Sequence, residues 1–309
     1  MAASDSMAAS DSTATGDTVA ISRRPGLLSR APSGVLVVSA IASVQFGSAV
    51  AATLFGQIGP GGAVWLRLLF GTIILLAMWR PRMHGYARRE LLLAALFGLV
   101  LASMNFSFYS ALHRIPLGIA VTLEFVGPLA VGLAGSRRPR DLLWVALAAA
   151  GILALTRGGV HHLDPIGVAL ALLAGSLWAL YIVVNARVGR AFEGGTGLAL
   201  AMCVATVLMT PIGITQGGSQ LLEPRSLLLG AAIGMLSSAI PYSFEVEALR
   251  RIKTSVFGVL MSIEPAMAAF AGLIVLGQSL AARELLGMAL VVIASVGAAR
   301  GSREAPVAV

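Results

Sequence analysis

The segment LEFVGPL, residues 123–129, places a carboxylate and a helix breaker in an apolar run. Glu124 is the one ionisable residue between positions 117 and 135, and Pro128 follows it by four positions. Proline cannot donate to the carbonyl four residues earlier, which here is the carbonyl of Glu124 itself. A carboxyl and a free carbonyl are therefore predicted at the same level of one helix.

The same combination returns near the C-terminus as MSIEPAM, residues 261–267, which contains Glu264 and Pro265. Pro241 adds a third predicted break, in the apolar run before it. In lipid, such a break is tolerated only where the backbone meets protein or a water-filled cavity. A charged group in mid-membrane is costly and is usually functional. The repeated pattern thus predicts a central polar cavity, if these segments lie in a membrane.

The composition indicates that they do. The 309 residues are 57% hydrophobic and 12% charged, with a mean hydropathy of +0.88. Soluble domains contain about 25% charged residues. Ten apolar runs approach the ~20 residues that cross a bilayer as a helix. Their limits are 34–55, 61–79, 91–112, 116–135, 142–156, 166–186, 197–215, 227–249, 255–277 and 284–299.

The basic residues test this count and predict the orientation. The net charge is +8, but the arginines stand in small groups between apolar runs, which argues against nucleic-acid binding. Of the 22 Lys and Arg residues, 17 fall on one side, and that excess marks the cytoplasm. These are Arg23, Arg24, Arg30, Arg80, Arg82, Arg88, Arg89, Arg137, Arg138, Arg140, Arg187, Arg190, Arg250, Arg251, Lys253, Arg300 and Arg303. The opposite side has Arg114, Arg157, Arg225 and Arg283, so both termini are expected to be cytoplasmic.

The two halves of the chain resemble each other. ALHRI (111–115) matches ALRRI (248–252), and RDLLWVAL (140–147) matches RELLGMAL (283–290). Spans 1–5 therefore pair with spans 6–10, and because five is odd the second copy is inverted. The predicted fold is an all-α integral membrane protein with ten transmembrane helices arranged as two inverted five-helix repeats. Its predicted segments are a disordered tail (1–30), a first repeat (31–157), a second repeat (158–300) and a C-terminal tail (301–309).

The chain resembles the drug/metabolite transporter superfamily with its EamA-type repeats. Within that superfamily it resembles the bacterial inner-membrane threonine/homoserine exporters. The stretches that support the likeness are FYSALHRIPLGIAVTLEFVGPLAV (108–131), SRRPRDLLWV (136–145), AIPYSFEVEALRRI (239–252) and FGVLMSIEPAMAA (257–269). The likeness spans residues 34 to 300. It implies export of small amino acids across the inner membrane.

Three glutamates are candidates for proton coupling or for lining the cavity: Glu264, then Glu124, then Glu245. Each could instead be a neutral structural residue. Arg67, inside the second span, could bind a substrate carboxylate, pair with a buried carboxylate or extend to the interface. Other amphipathic side chains in the spans could bind substrate, although packing is the commoner role for each. They are Asn105, Tyr109, Trp178, Tyr181 and Tyr242, together with Gln45.

Other functions receive less support from the sequence. Nothing matches G-x-x-x-x-G-K-[ST], which would indicate nucleotide-driven transport, or H-E-x-x-H. His161, His162 and Asp164 share a loop but fall short of the four ligands of a structural zinc site. We therefore expect no enzyme activity, cofactor or metal. Export or import of other metabolites or drugs, and a membrane scaffold, remain open alternatives, as does the oligomeric state.

Overall fold

A computed structural model describes residues 31–80, 85–134, 141–156, 163–249 and 251–301. Within these ranges the regular structure is helical, and the helices are numbered here in chain order. They are α1 (Ser33–Ala52), α2 (Phe55–Trp79), α3 (Arg88–Leu112), α4 (Leu117–Glu124), α5 (Val126–Ala134), α6 (Asp141–Thr156), α7 (Pro165–Ala191), α8 (Thr196–Gly217), α9 (Pro224–Gly234), α10 (Ile240–Leu249), α11 (Thr254–Met261), α12 (Glu264–Leu276) and α13 (Ala282–Gly301). A 3-10 turn (Gly218–Leu222) follows α8, and a π-helical turn (Met235–Ala239) joins α9 to α10.

Eight helical segments are long and apolar enough to cross a membrane. They are α1, α2, α3, α7, α8 with its 3-10 turn, α9 with the start of α10, α11 with α12, and α13. Two further apolar helices, Leu117–Val131 and Leu142–Thr156, are shorter. The prediction of a helical membrane protein is confirmed. The predicted N-terminal tail, residues 302–309 of the predicted C-terminal tail, His161 and His162 lie outside the described residues.

Local sequence explains where several helices begin and end. Asp164 caps α7 by accepting a hydrogen bond from the backbone N–H of Ile166 at 2.8 Å, and Pro165 opens the helix. Glu90 accepts from the backbone N–H of Ala87 at the start of α3, at 2.8 Å. Gly277 ends α12 in the left-handed conformation.

Helix breaks occur at the predicted prolines. The α4 helix ends at Glu124 and α5 begins two residues later, before Pro128. The α11 helix ends before residues 262–263, and α12 begins at Glu264, beside Pro265. The π-helical turn stands directly before Ile240 and Pro241. Buried residues occur in each irregular segment, among them Phe125, Ser238 and Ser262, so each break is at least partly covered by protein, as a break in lipid requires.

Small residues allow the helices to pack closely. A β-carbon on Gly98 of α3 would lie 2.6 Å from the carbonyl oxygen of Ala201 on α8. One on Gly151 of α6 would lie 2.7 Å from the carbonyl oxygen of Gly287 on α13. Glycine at such contacts is typical of membrane helices, which gain stability from close approach rather than from hydrophobic burial.

The outer surface is apolar. Leu142, Val207 and Leu228 each expose 70% or more of their accessible surface, and many other large aliphatic side chains on the helices are exposed. A water-soluble protein would rarely present apolar area on this scale. Lipid is the solvent that suits such a surface, which agrees with the composition.

Candidate functional site

The two carboxylates singled out in the sequence lie on helices α4 and α12, which pack against each other. Glu124 is the last residue of α4 and Glu264 is the first residue of α12, so each stands at a helix break. Their side chains interact electrostatically with each other. Two segments more than a hundred residues apart thus present their acidic groups to one region.

Glu264 has a defined partner on α1. The Gln45 side-chain Nε2 donates to Glu264 Oε1 at 2.9 Å, and both residues are buried, at 2% and 8% exposure. The other oxygen of each side chain, Gln45 Oε1 and Glu264 Oε2, is buried without a hydrogen-bond partner among the described residues. Buried polar groups are nearly always satisfied, and here two such oxygens belong to side chains that contact each other.

Arg67 faces the interior of the bundle rather than the membrane surface. Its guanidinium donates to the Tyr109 hydroxyl at 3.3 Å and lies 5.6 Å from the centre of that ring. It also interacts electrostatically with Glu124. Arg67 is half-buried and Tyr109 is fully buried. A cationic group is therefore placed beside the acidic region.

Glu245 belongs to the same region. It lies on α10, is half-buried, and interacts electrostatically with Glu264. Glu247, two residues further on, forms an ion pair with Arg251. Of these two neighbouring carboxylates, Glu245 is the one that the structure brings to the other candidate residues.

The remaining candidates have other contacts. Asn105 is buried and donates to the carbonyl of Leu101 in its own helix at 2.8 Å. Trp178 packs edge-on against Phe125, the residue at the α4–α5 break, with ring centres 5.6 Å apart. Tyr181 packs on Phe97 at 5.1 Å. The side chain of Tyr242 lies outside the described part of the structure.

Gln45 forms a contact that the sequence does not predict. A single amide in a helix of apolar and small residues is only a weak indication of a binding role, and packing is the commoner role for such a residue. Its partner, Glu264, is 219 residues away in the chain. Only the folded arrangement shows that the amide meets a carboxylate.

A cavity of about 410 Å³ opens near Tyr109, where α1 and α3 end and α2 begins. Phe55, Gly59, Pro60, Ser110, His113, Arg114 and Gln216 line it. Arg114 pairs with Asp164 at 2.6 Å, and this hydrogen bond lowers the pKa of the Asp164 carboxyl below its ordinary value. The Phe55 ring, which lines the cavity, packs against the Tyr109 ring with ring centres 5.7 Å apart.

Metal binding receives no support from the described residues, where no cluster of three or more His, Cys, Asp or Glu side chains could hold an ion. The loop histidines considered above fall outside those residues.

Fold and site together define a class: a multi-pass α-helical membrane protein with broken helices around a charged centre. Comparison with known proteins makes this specific. The EamA-like transporter family matches residues 165–300. The threonine/homoserine exporter RhtA of Escherichia coli K12 is 43% identical over 278 residues, covering 88% of this chain and 94% of that protein. RhtA of Salmonella typhimurium SL1344 is 42% identical, covering 88% and 92%. The chain belongs to the EamA-like transporter family.

More distant matches agree with this class. The uncharacterized inner membrane transporter YedA of E. coli K12 is 30% identical over 243 residues, covering 75% of this chain and 78% of that protein. One solved crystal structure shares the fold with a TM-score of 0.57 at 20% identity, covering 85% of this chain and 94% of the other. The relatives are transporters rather than enzymes. Together with the apolar helices, they identify a multi-pass inner-membrane protein.

Proposed function

We propose that this protein is a secondary active transporter that exports small amino acids such as threonine and homoserine by proton antiport with alternating access. The observation that carries the proposal is that Glu124 and Glu264 each stand at a helix break, on helices that pack together, and lie within electrostatic reach of each other. Carboxylates in such positions are typical of substrate and proton pathways. The 42–43% identity to threonine/homoserine exporters supports the choice of cargo.

The charges of the site suit an amino acid. The guanidinium of Arg67 would bind the substrate carboxylate, since its planar fork matches that group. Glu124, Glu245 and Glu264 form the acidic side that a substrate ammonium group would need. An apolar drug would gain little from a site that brings an arginine together with carboxylates, so the geometry favours amino acids over drug-like cargo.

Pairs of helices that correspond in the two halves support the inverted repeat. The α2 and α8 helices pack against each other, and so do α6 and α13. The contact of α3 with α7 has its counterpart in the contact of α10 with α1. The family match begins at residue 165, where α7 starts, which agrees with a second repeat over 158–300 and a first over 31–157.

In the proposed cycle the two repeats rock around the charged centre. The cytoplasm-facing state takes up an amino acid, and the outward-facing state releases it. Glu264, or next Glu124, then accepts a proton from outside and returns it to the cytoplasm. Close contacts at glycines such as Gly127 and Gly175 would let helices slide without separating.

The orientation follows from the basic residues. With both termini cytoplasmic, 17 of 22 Lys and Arg residues face the cytoplasm. The end of the bundle with the 410 Å³ cavity would then face outward, because α1 ends there. The cavity would be the route by which cargo leaves. The protein would extend the tails 1–30 and 301–309 into the cytoplasm.

Transport in proteoliposomes tests the proposal. Labelled threonine or homoserine is loaded, a proton gradient is imposed, and substrate movement is followed in the parent, in Glu264→Gln and in Glu124→Gln. Glu247→Gln is the matched control, since it removes a carboxylate from α10 that pairs with Arg251 away from the centre.

In the parent protein, the imposed proton gradient should drive movement of both amino acids, and the control variant should retain this activity. Loss of gradient-driven movement in Glu264→Gln, with exchange of amino acid across the membrane retained, would assign proton coupling to that carboxyl. A parent protein that moves neither amino acid would refute the proposed cargo. Coupled export that survives both substitutions would refute the role of the glutamates.

A further inference from the structure

The contact between Gln45 and Glu264 leaves two oxygen atoms in need of hydrogen-bond donors. Gln45 Nε2 donates to Glu264 Oε1 at 2.9 Å, but Gln45 Oε1 and Glu264 Oε2 have almost no exposure and no partner in the part of the chain that the structure describes. Both side chains are more than nine-tenths buried. A buried acceptor without a donor loses its hydration and gains nothing in exchange. The pair is therefore suited to a ligand that brings N–H or O–H groups.

The surroundings are rich in acceptors. Glu245 on α10 interacts electrostatically with Glu264, and so does Glu124 at the end of α4. Ser237, in the π-helical turn beside α1, has a third buried oxygen without a partner. Glu264, the partner of Gln45, thus lies within electrostatic reach of two further carboxylates. A ligand with positive charge and several donors fits this environment, and a primary ammonium group has three donors and no acceptor.

The opposite charge lies at one side of the same region. Arg67 reaches Tyr109 and interacts electrostatically with Glu124. The site therefore has an acidic, amide-lined part at Gln45 and Glu264 and a cationic part at Arg67. An α-amino acid has the two complementary charges.

We propose that Gln45 and Glu264 bind the α-ammonium group of the transported amino acid, with Gln45 Oε1 and Glu264 Oε2 as acceptors. Gln45 is then a specificity-determining residue, because it selects cargo that has a free amino group. The inference rests on the proposed amino-acid export, and it assigns to α1 a direct role in binding. The carboxylate of the cargo points toward Arg67.

Ligands that lack one charged group test this assignment. Purified protein in liposomes is competed with threonine, with threonine methyl ester, which lacks the carboxylate, and with 3-hydroxybutyrate, which lacks the amino group. The variant is Gln45→Met, which keeps the length of the side chain and removes the amide. Ser43→Ala is the matched control, since Ser43 lies two residues earlier on α1 and its hydroxyl donates to the backbone carbonyl of Leu236, at 2.6 Å.

Loss of a hydrogen bond to a charged group predicts that Gln45→Met weakens threonine and its methyl ester about tenfold. The affinity for 3-hydroxybutyrate should change less than about twofold, because that ligand has no ammonium group to lose. Ser43→Ala should leave the order of the three ligands unchanged. Ligand-dependent shifts in thermal unfolding give the same comparison without transport. If Gln45→Met does not fold, Gln45→Asn, which withdraws the amide by one methylene, takes its place.

Equal weakening of all three ligands would overturn the inference, since Gln45 would then act only through packing. A changed pH dependence of export with unchanged ligand preference would also overturn it, and would assign the pair to the proton. If the parent does not transport threonine or homoserine at all, the proposed function fails first. If the parent transports both amino acids and Gln45→Met leaves the preference for ligands with an amino group unchanged, the proposed function stands and this inference alone fails.

Discussion

The backbone carbonyl oxygen of Glu124 faces Gly175 so closely that a β-carbon on Gly175 would lie 2.5 Å from it. This is the carbonyl that Pro128 deprives of its helical donor. In the other direction, a β-carbon on Gly127 would lie 1.8 Å from the carbonyl oxygen of Gly175. The break between α4 and α5 therefore lies directly on the backbone of α7, and two glycines make that contact possible.

Substitution of either glycine should destabilise the protein. Gly175→Ala and Gly127→Ala each place a methyl group too close to backbone atoms of the neighbouring helix. Unlike a side chain, these backbone atoms cannot move aside by a change of rotamer. We expect a loss of about 1–3 kcal/mol in the free energy of unfolding, measured as a lower apparent melting temperature in detergent. Gly189→Ala on α7 is the control, because no heavy atom lies within 4 Å of its added β-carbon. Equal melting temperatures for Gly175→Ala and Gly189→Ala would contradict the close contact.

Gly59 offers a second pair of matched substitutions. Its φ of 67° and ψ of 167° belong to a region that other residues rarely adopt, and it stands before Pro60 within α2. A β-carbon there would also lie 2.7 Å from Gln216 Oε1. Gly59→Ala should lower stability by about 1–3 kcal/mol. Gly56→Ala, three residues earlier with open space around it, should be neutral or stabilising. Thermal unfolding of both variants checks this, and a stable Gly59→Ala would argue against the backbone conformation.

Much of the fold follows from hydropathy and proline position. The predicted span 142–156 coincides with α6, and the breaks fall next to Glu124 and Glu264 as the prolines indicate. Hydropathy does not show which spans form one uninterrupted helix long enough to cross a membrane. The helix of the fourth span is interrupted, and that of the fifth is 16 residues long. Neither is therefore among the eight helical segments that qualify as membrane spans by length and composition.

The site was predictable only in its parts. A carboxylate in an apolar span is conspicuous, so Glu124 and Glu264 could be found from their types and spacing. Their meeting, and the bond from Gln45, depend on which helices pack together, and that is decided by many weak contacts between small residues. The sequence alone does not show where Arg67 points, because an arginine in a membrane span can either extend to the interface or face the interior of the protein.

The pair of Arg114 and Asp164 predicts a dependence of stability on pH. The hydrogen bond from Arg114 holds the pKa of the Asp164 carboxyl below its ordinary value, so ionised Asp164 stabilises the folded state above the unfolded pKa. That contribution is lost as the pH falls through the lowered pKa of the folded state. Asp164→Asn keeps an oxygen that can cap α7 but removes the charge. We expect it to be less stable than the parent at pH 7, with the difference vanishing in acid.

Thermal unfolding of parent and Asp164→Asn between pH 7 and pH 3 measures this effect. Because the pair is partly exposed, at 41% for Arg114 and 31% for Asp164, the difference should be small and should shrink further in high salt. Arg114→Met should show the same trend with pH. A difference that grows on acidification would mean that Asp164 is not stabilised by its charge.

The last prediction separates the two members of the Arg67–Tyr109 contact. If Arg67 binds the carboxylate of the cargo, Arg67→Met should lower the affinity for threonine more than about tenfold, because a charge-assisted bidentate bond is lost. Arg67→Lys should recover part of this, since it keeps the charge without the planar fork. Tyr109→Phe removes only the hydroxyl that Arg67 contacts at 3.3 Å, and should weaken binding a few-fold through a less well-positioned guanidinium.

Threonine methyl ester distinguishes binding from folding in these variants. Its affinity should be nearly unaffected by Arg67→Met, because the ester has no carboxylate to lose, whereas a misfolded site would weaken both ligands alike. Arg190→Met, on an exposed turn of α7, controls for the loss of one positive charge. If Arg67→Met binds threonine as tightly as the parent, Arg67 is instead the partner that balances Glu124, and the carboxylate of the cargo must be bound elsewhere.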